Sequence, residues 1–191
     1  MTTISGRVVL FLGVVALGCT ATPDRGVTGP NARLDRVDAA FDRVAAASGA
    51  QQEVTGHANI LLPIFGGAEE KYSNSAIRHA DGTVSGQFEL KSAQVAGGVR
   101  IHGDIVCFTI IGNTARLAGL VDQSDTPLAP EGTYFIWTVV DNGEGQNDPP
   151  DLTSDFVGPF TALGAATFHC ASGINVGAFY PLQSGNLQVH E

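Results

Sequence analysis

From about Val54 onward, apolar and polar residues change places at every second position, whereas ahead of that point they do not. "TVSGQFELK" (83–91) is the clearest case. Val84, Gly86, Phe88 and Leu90 fall on one face, and Thr83, Ser85, Gln87, Glu89 and Lys91 on the other. A period of two is that of a half-buried antiparallel strand. Asp81-Gly82 just before it suits the positive φ of a tight hairpin turn, and so predicts a partner strand near 70–79. "VRIHGDIVCFTI" (99–110) predicts a long strand, "IGN" (111–113) a turn, and "ARLAGLVD" (115–122) the return. "GTYFIWTVVD" (132–141) is apolar on both faces, as a central strand is, and "GNLQVHE" (185–191) closes the chain with a short strand. No strand–helix alternation and no fixed repeat occur, which excludes doubly wound nucleotide-binding folds. The expectation is an all-β domain over 54–191, an antiparallel β-sandwich or closed barrel of about eight strands. Its apolar positions do not form a consistent outward band, which argues against a membrane-spanning barrel.

Ahead of that domain the period is different. In "NARLDRVDAAFDRVAAASGA" (31–50), Leu34, Val37, Phe41 and Val44 recur at spacings of three and four with Asp and Arg between them. That predicts one amphipathic helix over 32–49, stopped by Gly49, whose apolar stripe must rest on another surface. Residues 19–31 carry Thr, Pro, Gly and Asp without periodicity and read as a tether. At the start, Arg7 precedes the apolar run "VVLFLGVVAL" (8–17). Ten helical residues span about 15 Å, half of a bilayer core, so 1–18 reads as a cleaved signal peptide rather than an anchor helix. Ala16-Leu17-Gly18-Cys19 resembles the lipobox of bacterial lipoproteins, which implies lipidation of Cys19. The alternative is ordinary cleavage after Ala21 and a soluble secreted or periplasmic product.

Charge narrows the partners. Charged residues make up 15% of the chain and the net charge is −9; beyond Arg116 there are nine Asp or Glu and no Lys or Arg. Such a surface repels nucleic acid. With Cys19 set aside, Cys107 and Cys170 form an even pair in an oxidising compartment, and a disulfide between them is expected.

The stretch with the most chemistry is "FIWTVVDNGEGQNDPPD" (135–151). Asp141, Glu144, Asp148 and Asp151, with Asn142, Gln146 and Asn147, offer the hard oxygen ligands that Ca²⁺ prefers. Their spacing does not fit an EF-hand loop, and Asp-Asn-Gly followed by Pro149-Pro150 is strong turn chemistry, so a solvated turn is the leading reading. Ca²⁺ is the one cofactor kept open. None of the histidines, His57, His79, His102, His169 and His190, stands at a close metal spacing. His102 and Asp104 share a strand face, and Phe135 and Trp137 share another that reads as core. The nucleophile motif G-x-S-x-G and the phosphate-cradling glycine motifs are absent. No catalytic residue is assigned.

Several phrases together carry a resemblance: "GHANI" (56–60), "RHADGTVSGQF" (78–88), "HGDIVCFTIIGNTARLAG" (102–119), "WTVVDNGEGQNDPPD" (137–151) and "SGNLQVH" (184–190). In this order they resemble a family of uncharacterised bacterial exported β-domain proteins, with RHADGxVSG, HGDVTC, VVDNGEGxxxPPD and GNIQVH-like motifs. "SDF" (154–156) departs from that family's more hydrophobic continuation. The resemblance implies an exported all-β domain and assigns no catalytic residue. The expectation is a lipoprotein of the bacterial cell envelope, held to the membrane through its N-terminal lipid. Its β domain would be a non-enzymatic binding or structural module for a protein or a small molecule. The alternatives are an envelope hydrolase using strand-borne His and Asp residues and a carrier of a small apolar ligand.

Overall fold

Glycine-bearing turns set up the strands as the alternation predicts. In the computed structural model, which describes residues 51–93, 98–145 and 147–191, Gly82 has a φ of 86° in the turn after residue 78, and Gly112 one of 60° in the turn after residue 111. Both are values that a side chain resists. Asp81 Oδ1 caps the first turn, accepting from the backbone N–H and hydroxyl of Thr83 at 2.9 and 2.6 Å. The expected signal peptide (1–18), tether (19–31), amphipathic helix (32–49) and Cys19 lie outside the described residues.

Among the described residues ten strands form where about eight were expected: β1 (Gln52–Leu62), β2 (Ala68–Arg78), β3 (Val84–Ser92), β4 (Val99–Ile111), β5 (Thr114–Ser124), β6 (Tyr134–Val140), β7 (Leu152–Ser154), β8 (Val157–Phe160), β9 (Phe179–Pro181) and β10 (Ser184–His190). All ladders are antiparallel, in the order β10-β1-β2-β3-β4-β5-β6-β7-β9, with β8 also on β6. The domain is all-β in the coarse sense, one curled sheet. An α-helix inside it, α1 (Leu163–Ser172), was not expected.

Buried apolar clusters lie on both faces of this sheet. The inward faces of β1 to β6 and β10 enclose Val54, Phe88, Phe108, Leu117, Trp137 and Leu187 among others. Phe88 lies flat against the backbone of β4 and β5, where a Cβ on Gly103 or Gly119 would collide with its ring. Trp137 stacks on Phe156 with centroids 4.5 Å apart, and Phe88 leans on Trp137 at 5.2 Å. Aromatic rings packed on one another account for much of the apolar area that the inward face buries. The second core is outside: Ala166 and Cys170 of α1 pack on Cys107, Ala118 and Ile136. That is why β6 is apolar on both faces.

A bulge decides which face Cys107 takes. Ile105 pairs with Gly119 and Cys107 with Ala118, so Val106 is the extra residue. Strict alternation would keep Cys107 on the side of Ile101, Gly103 and Ile105. The bulge inverts the parity, sending Cys107 out towards α1 and Phe108 into the interior. Cys107 and Cys170 are joined by a disulfide, with Cα atoms 6.3 Å apart.

Candidate functional site

Each calcium candidate in the acidic turn has a backbone or side-chain donor. Asp141 Oδ1 accepts from Gly143 N–H at 2.8 Å and its Oδ2 from Val189 N–H at 3.0 Å. Asp151 Oδ1 accepts from Asn142 N–H at 2.8 Å and its Oδ2 from Leu187 N–H at 2.9 Å. Asp148 Oδ2 closes the turn on Gly145 N–H at 2.6 Å. Glu144 Oε1 accepts from the amides of Gln188 and Asn186 at 2.7 and 2.9 Å, which hold its carboxyl below the usual carboxylate range.

The pattern has one geometric meaning. β10 pairs with β1 along one edge only, and its other edge presents the N–H groups of Leu187 and Val189. Asp151 and Asp141 take those two donors, and Glu144 takes the side chains between and beyond them. The turn is a strip of acceptors laid along an open strand edge, which removes the liability of unpaired N–H groups. Among the described residues no group of three His, Cys, Asp or Glu stands where it could hold a metal ion.

A second acidic group lies in the interior, unseen by pattern reading. Glu70, Tyr72 and Asn74 occupy successive inward positions of β2 and are buried. Burial and the nearby Asp155 push the Glu70 carboxyl up to about 7, and burial pushes the Tyr72 phenol up as well. Tyr180 donates to Asp155 Oδ2 at 3.3 Å. The Tyr72 hydroxyl stands beside Thr153 without making a hydrogen bond of ordinary geometry, and Glu70 Oε1 and Asn74 Oδ1 also lack partners. This stripe escaped the sequence because β2 is polar on both faces, "EEKYSNS", so alternation marks no inside.

The histidines are dispersed. His102 bonds Asp122 across the β4–β5 ladder, Nδ1 to Oδ1 at 2.8 Å, rather than Asp104 on its own strand. His79 meets Ser85 at 2.8 Å within its hairpin. His169 is buried under α1, with Nε2 2.9 Å from the Trp137 carbonyl. His190 approaches the acidic turn through the exposed Glu144.

A concave feature lies on the outer face of the sheet. A depression of about 360 Å³ crosses β10, β1, β2 and β3 and is lined by His57, Asn59, Lys71, Ser73, Glu89 and Lys91 among others. Register makes it unusual. Lys71 faces Lys91, and Lys91 faces Arg100, directly across three strands. Like charges set opposite one another oppose strand pairing. Glu69 and Glu89 offset this, with Lys71–Glu69 at 3.4 Å, Lys91–Glu89 at 2.8 Å and Arg100–Glu89 at 3.1 Å. Since Arg78 and Arg116 are buried, this row holds every exposed Lys and Arg among the described residues of an acidic chain. No protein family model, curated protein or solved structure matches the chain.

Proposed function

We propose that this chain is an exported protein of the bacterial cell envelope, tethered through a lipid on Cys19, whose curled sheet is a non-enzymatic binding module. It is of the kind that the phrases around residues 78–88, 102–119 and 137–151 resemble. The sheet acts as a closed barrel in which the 141–151 turn supplies the last seam. Binding takes place on the outer polar face of β1 to β3, where side chains of both charges, amides and hydroxyls converge in one depression, and involves no Ca²⁺. The observation that carries this reading is the filled interior. With Phe88 wedged on Gly103 and Gly119, and Trp137 stacked on Phe156, the aromatic rings take the place that a carried molecule would need.

Two measurements test it. The chain has one tryptophan, Trp137, buried on the inward face of the curled sheet. Titrating the folded protein with a naphthyl fluorescent probe should give no saturable one-to-one quenching of that residue; such quenching would return the carrier reading. Replacing Cys19→Ser should move the protein from the membrane to the soluble fraction of the bacterial envelope. Unchanged membrane retention would remove the lipid anchor.

A further inference from the structure

Where β1 turns into β2 the alternation gives way to an unbroken apolar run, Leu61-Leu62-Pro63-Ile64-Phe65, closed by Gly66 and Gly67. Leu62 is buried, but Ile64 and Phe65 are 67% and 54% exposed, and Leu61 is exposed beside them. The turn has a defined shape. Residues 63–65 form one turn of 3-10 helix, and the N–H groups of Gly66 and Gly67 donate to the carbonyls of Pro63 and Leu62, each at 3.0 Å. Both glycines have positive φ, 69° and 83°, and a Cβ on either would meet nothing within 4 Å. The tip is thus held in one conformation with open space around its glycines. Single exposed apolar residues are ordinary on a surface, but three within five positions at a hairpin tip are not.

What stands behind the tip decides what it meets. Ladder register puts Asn59, Lys71, Lys91 and Arg100 in one row at right angles to the strands. Lys71 lies three positions from Ala68, where β2 begins, so the row is about 10 Å back from the turn at ~3.3 Å per residue. With the strands standing tip down on a flat surface, this row runs level with it. The loop after β5 comes to the same end: Arg100 N–H donates to Asp125 Oδ1 at 2.7 Å, and Asp125 N–H donates to the Arg100 carbonyl. That loop adds the exposed Leu128. The row is not a basic patch, because its three cations are matched by Glu69, Glu89 and Asp125. The opposite end of the sheet carries Asp81 and the 141–151 acids, with no exposed Lys or Arg among the described residues.

We propose that this end of the sheet, led by Ile64 and Phe65, seats on a phospholipid bilayer whose headgroups are zwitterionic, carrying both phosphate and ammonium. The two side chains enter the boundary between headgroups and acyl chains, to a depth of roughly 5–10 Å, which leaves the Lys71–Lys91–Arg100 row among the headgroups. There phosphates accept from the ammonium and guanidinium groups of the row, and headgroup ammonium donates to Glu69 and Glu89. Recognition of anionic lipid takes a cluster of unmatched Lys and Arg, and the net charge of −9 opposes approach to such a surface. Contact through one tip is reversible, so cell fractionation, which dilutes the lipid, still reads the anchor at Cys19 alone. The stretch between Cys19 and Gln52 is more than twice as long as the 13-residue β4, enough for this end to reach the bilayer that a lipid on Cys19 enters. The tip lies beyond the outer depression, and the inference does not rest on a ligand being bound there.

Co-sedimentation with vesicles decides the matter, using the full chain with Cys19→Ser as the parent so that no lipid of its own contributes. Vesicles of phosphatidylcholine and phosphatidylethanolamine should bind this parent, and replacing about half of the lipid by phosphatidylglycerol should weaken binding. Ile64→Ser with Phe65→Ser should lower the partition coefficient by about tenfold or more and leave the melting temperature where it is, since both side chains are already exposed. In Phe65→Trp the new emission should shift to the blue on vesicles and be quenched by lipids brominated along their acyl chains, while that of the buried Trp137 stays unaltered. Equal sedimentation of the parent and the double variant would overturn the proposal, as would stronger binding to the phosphatidylglycerol vesicles. Absence of vesicle binding would overturn it too, and a concentration-dependent dimer abolished by the double variant would then make a second copy of the chain the occupant of the tip.

Discussion

Two seams hold this sheet to what lies beside it, and they solve the same problem in opposite ways. Along the free edge of β10, the 141–151 turn places a carboxylate oxygen on the backbone N–H groups of Leu187 and Val189. There the acids with a structural task are matched to donors, and the seam is held by many modest polar contacts. Across the outer face, α1 is held by one covalent bond, Cys107–Cys170, over a patch where Arg116, Thr138 and His169 keep unpartnered atoms. The contrast shows why a run of acids in a sequence is a poor guide to function: the conspicuous cluster accepts from the backbone of a strand edge. The seam with unused hydrogen-bonding capacity contains an arginine, a threonine and a histidine separated by up to fifty-three positions.

Breaking the covalent seam should have the largest effect. The disulfide spans a separation of 63 residues. Its removal in a Cys107→Ser, Cys170→Ala double variant should lower unfolding stability by about 4 kcal/mol on the chain-entropy account, read from urea melts. A loss below about 1 kcal/mol would mean that the helix stays seated by packing alone.

The polar seam should respond next. Asp151 is 6% exposed and satisfies two backbone donors. Asp151→Ala should therefore destabilise by about 3 kcal/mol and speed amide exchange at Leu187 ahead of the rest of β10. Calcium added to the metal-free parent should leave its melting temperature unmoved. A rise of several degrees would show that the turn has a second use as a metal site.

Glu70 gives the smallest effect and one with a definite sign. Its folded pKa of about 7 is raised from an ordinary value of 4.5, so the folded state holds the proton more tightly than the unfolded chain. The stability attached to this group is complete below pH 4.5 and declines as pH rises towards 7, by about 2–3 kcal/mol. Glu70→Gln should flatten that part of the pH–stability curve; a parent curve rising steadily from pH 4.5 to 7 and unaltered by the variant would contradict it.

Much of the sheet was legible in the residues themselves. Val84 to Leu90 alternate because one face meets rings and the other water, and Asp81-Gly82 turns because only certain residues accept that φ. β3, β4, β5, β6 and β10 follow from such local rules, as does the pairing of Cys107 with Cys170 from their number once Cys19 is set aside. The short β7, β8 and β9 were not legible, since three or four residues hold too little period to read. Nor was α1: "LGAATFHCAS" has small residues on all sides and no polar face, since one side is roofed over the sheet and Phe168 is left 65% exposed on the other.

What the chain determines alone is what a residue and its near neighbours determine, namely period, turn and charge. Tertiary structure decided three matters that no local rule contains. One extra residue at Val106 reversed the facing of Cys107, so that a cysteine placed inward by alternation meets a helix outside. The curl of the sheet brought the 141–151 acids to an edge some forty residues further on, turning candidate metal ligands into acceptors for backbone donors. And α1, lying across β5 and β6, enclosed Arg116 and His169 together. Each is a matter of which distant groups share a small dry volume, and hydrogen bonds and charges take their strength from that volume rather than from order along the chain.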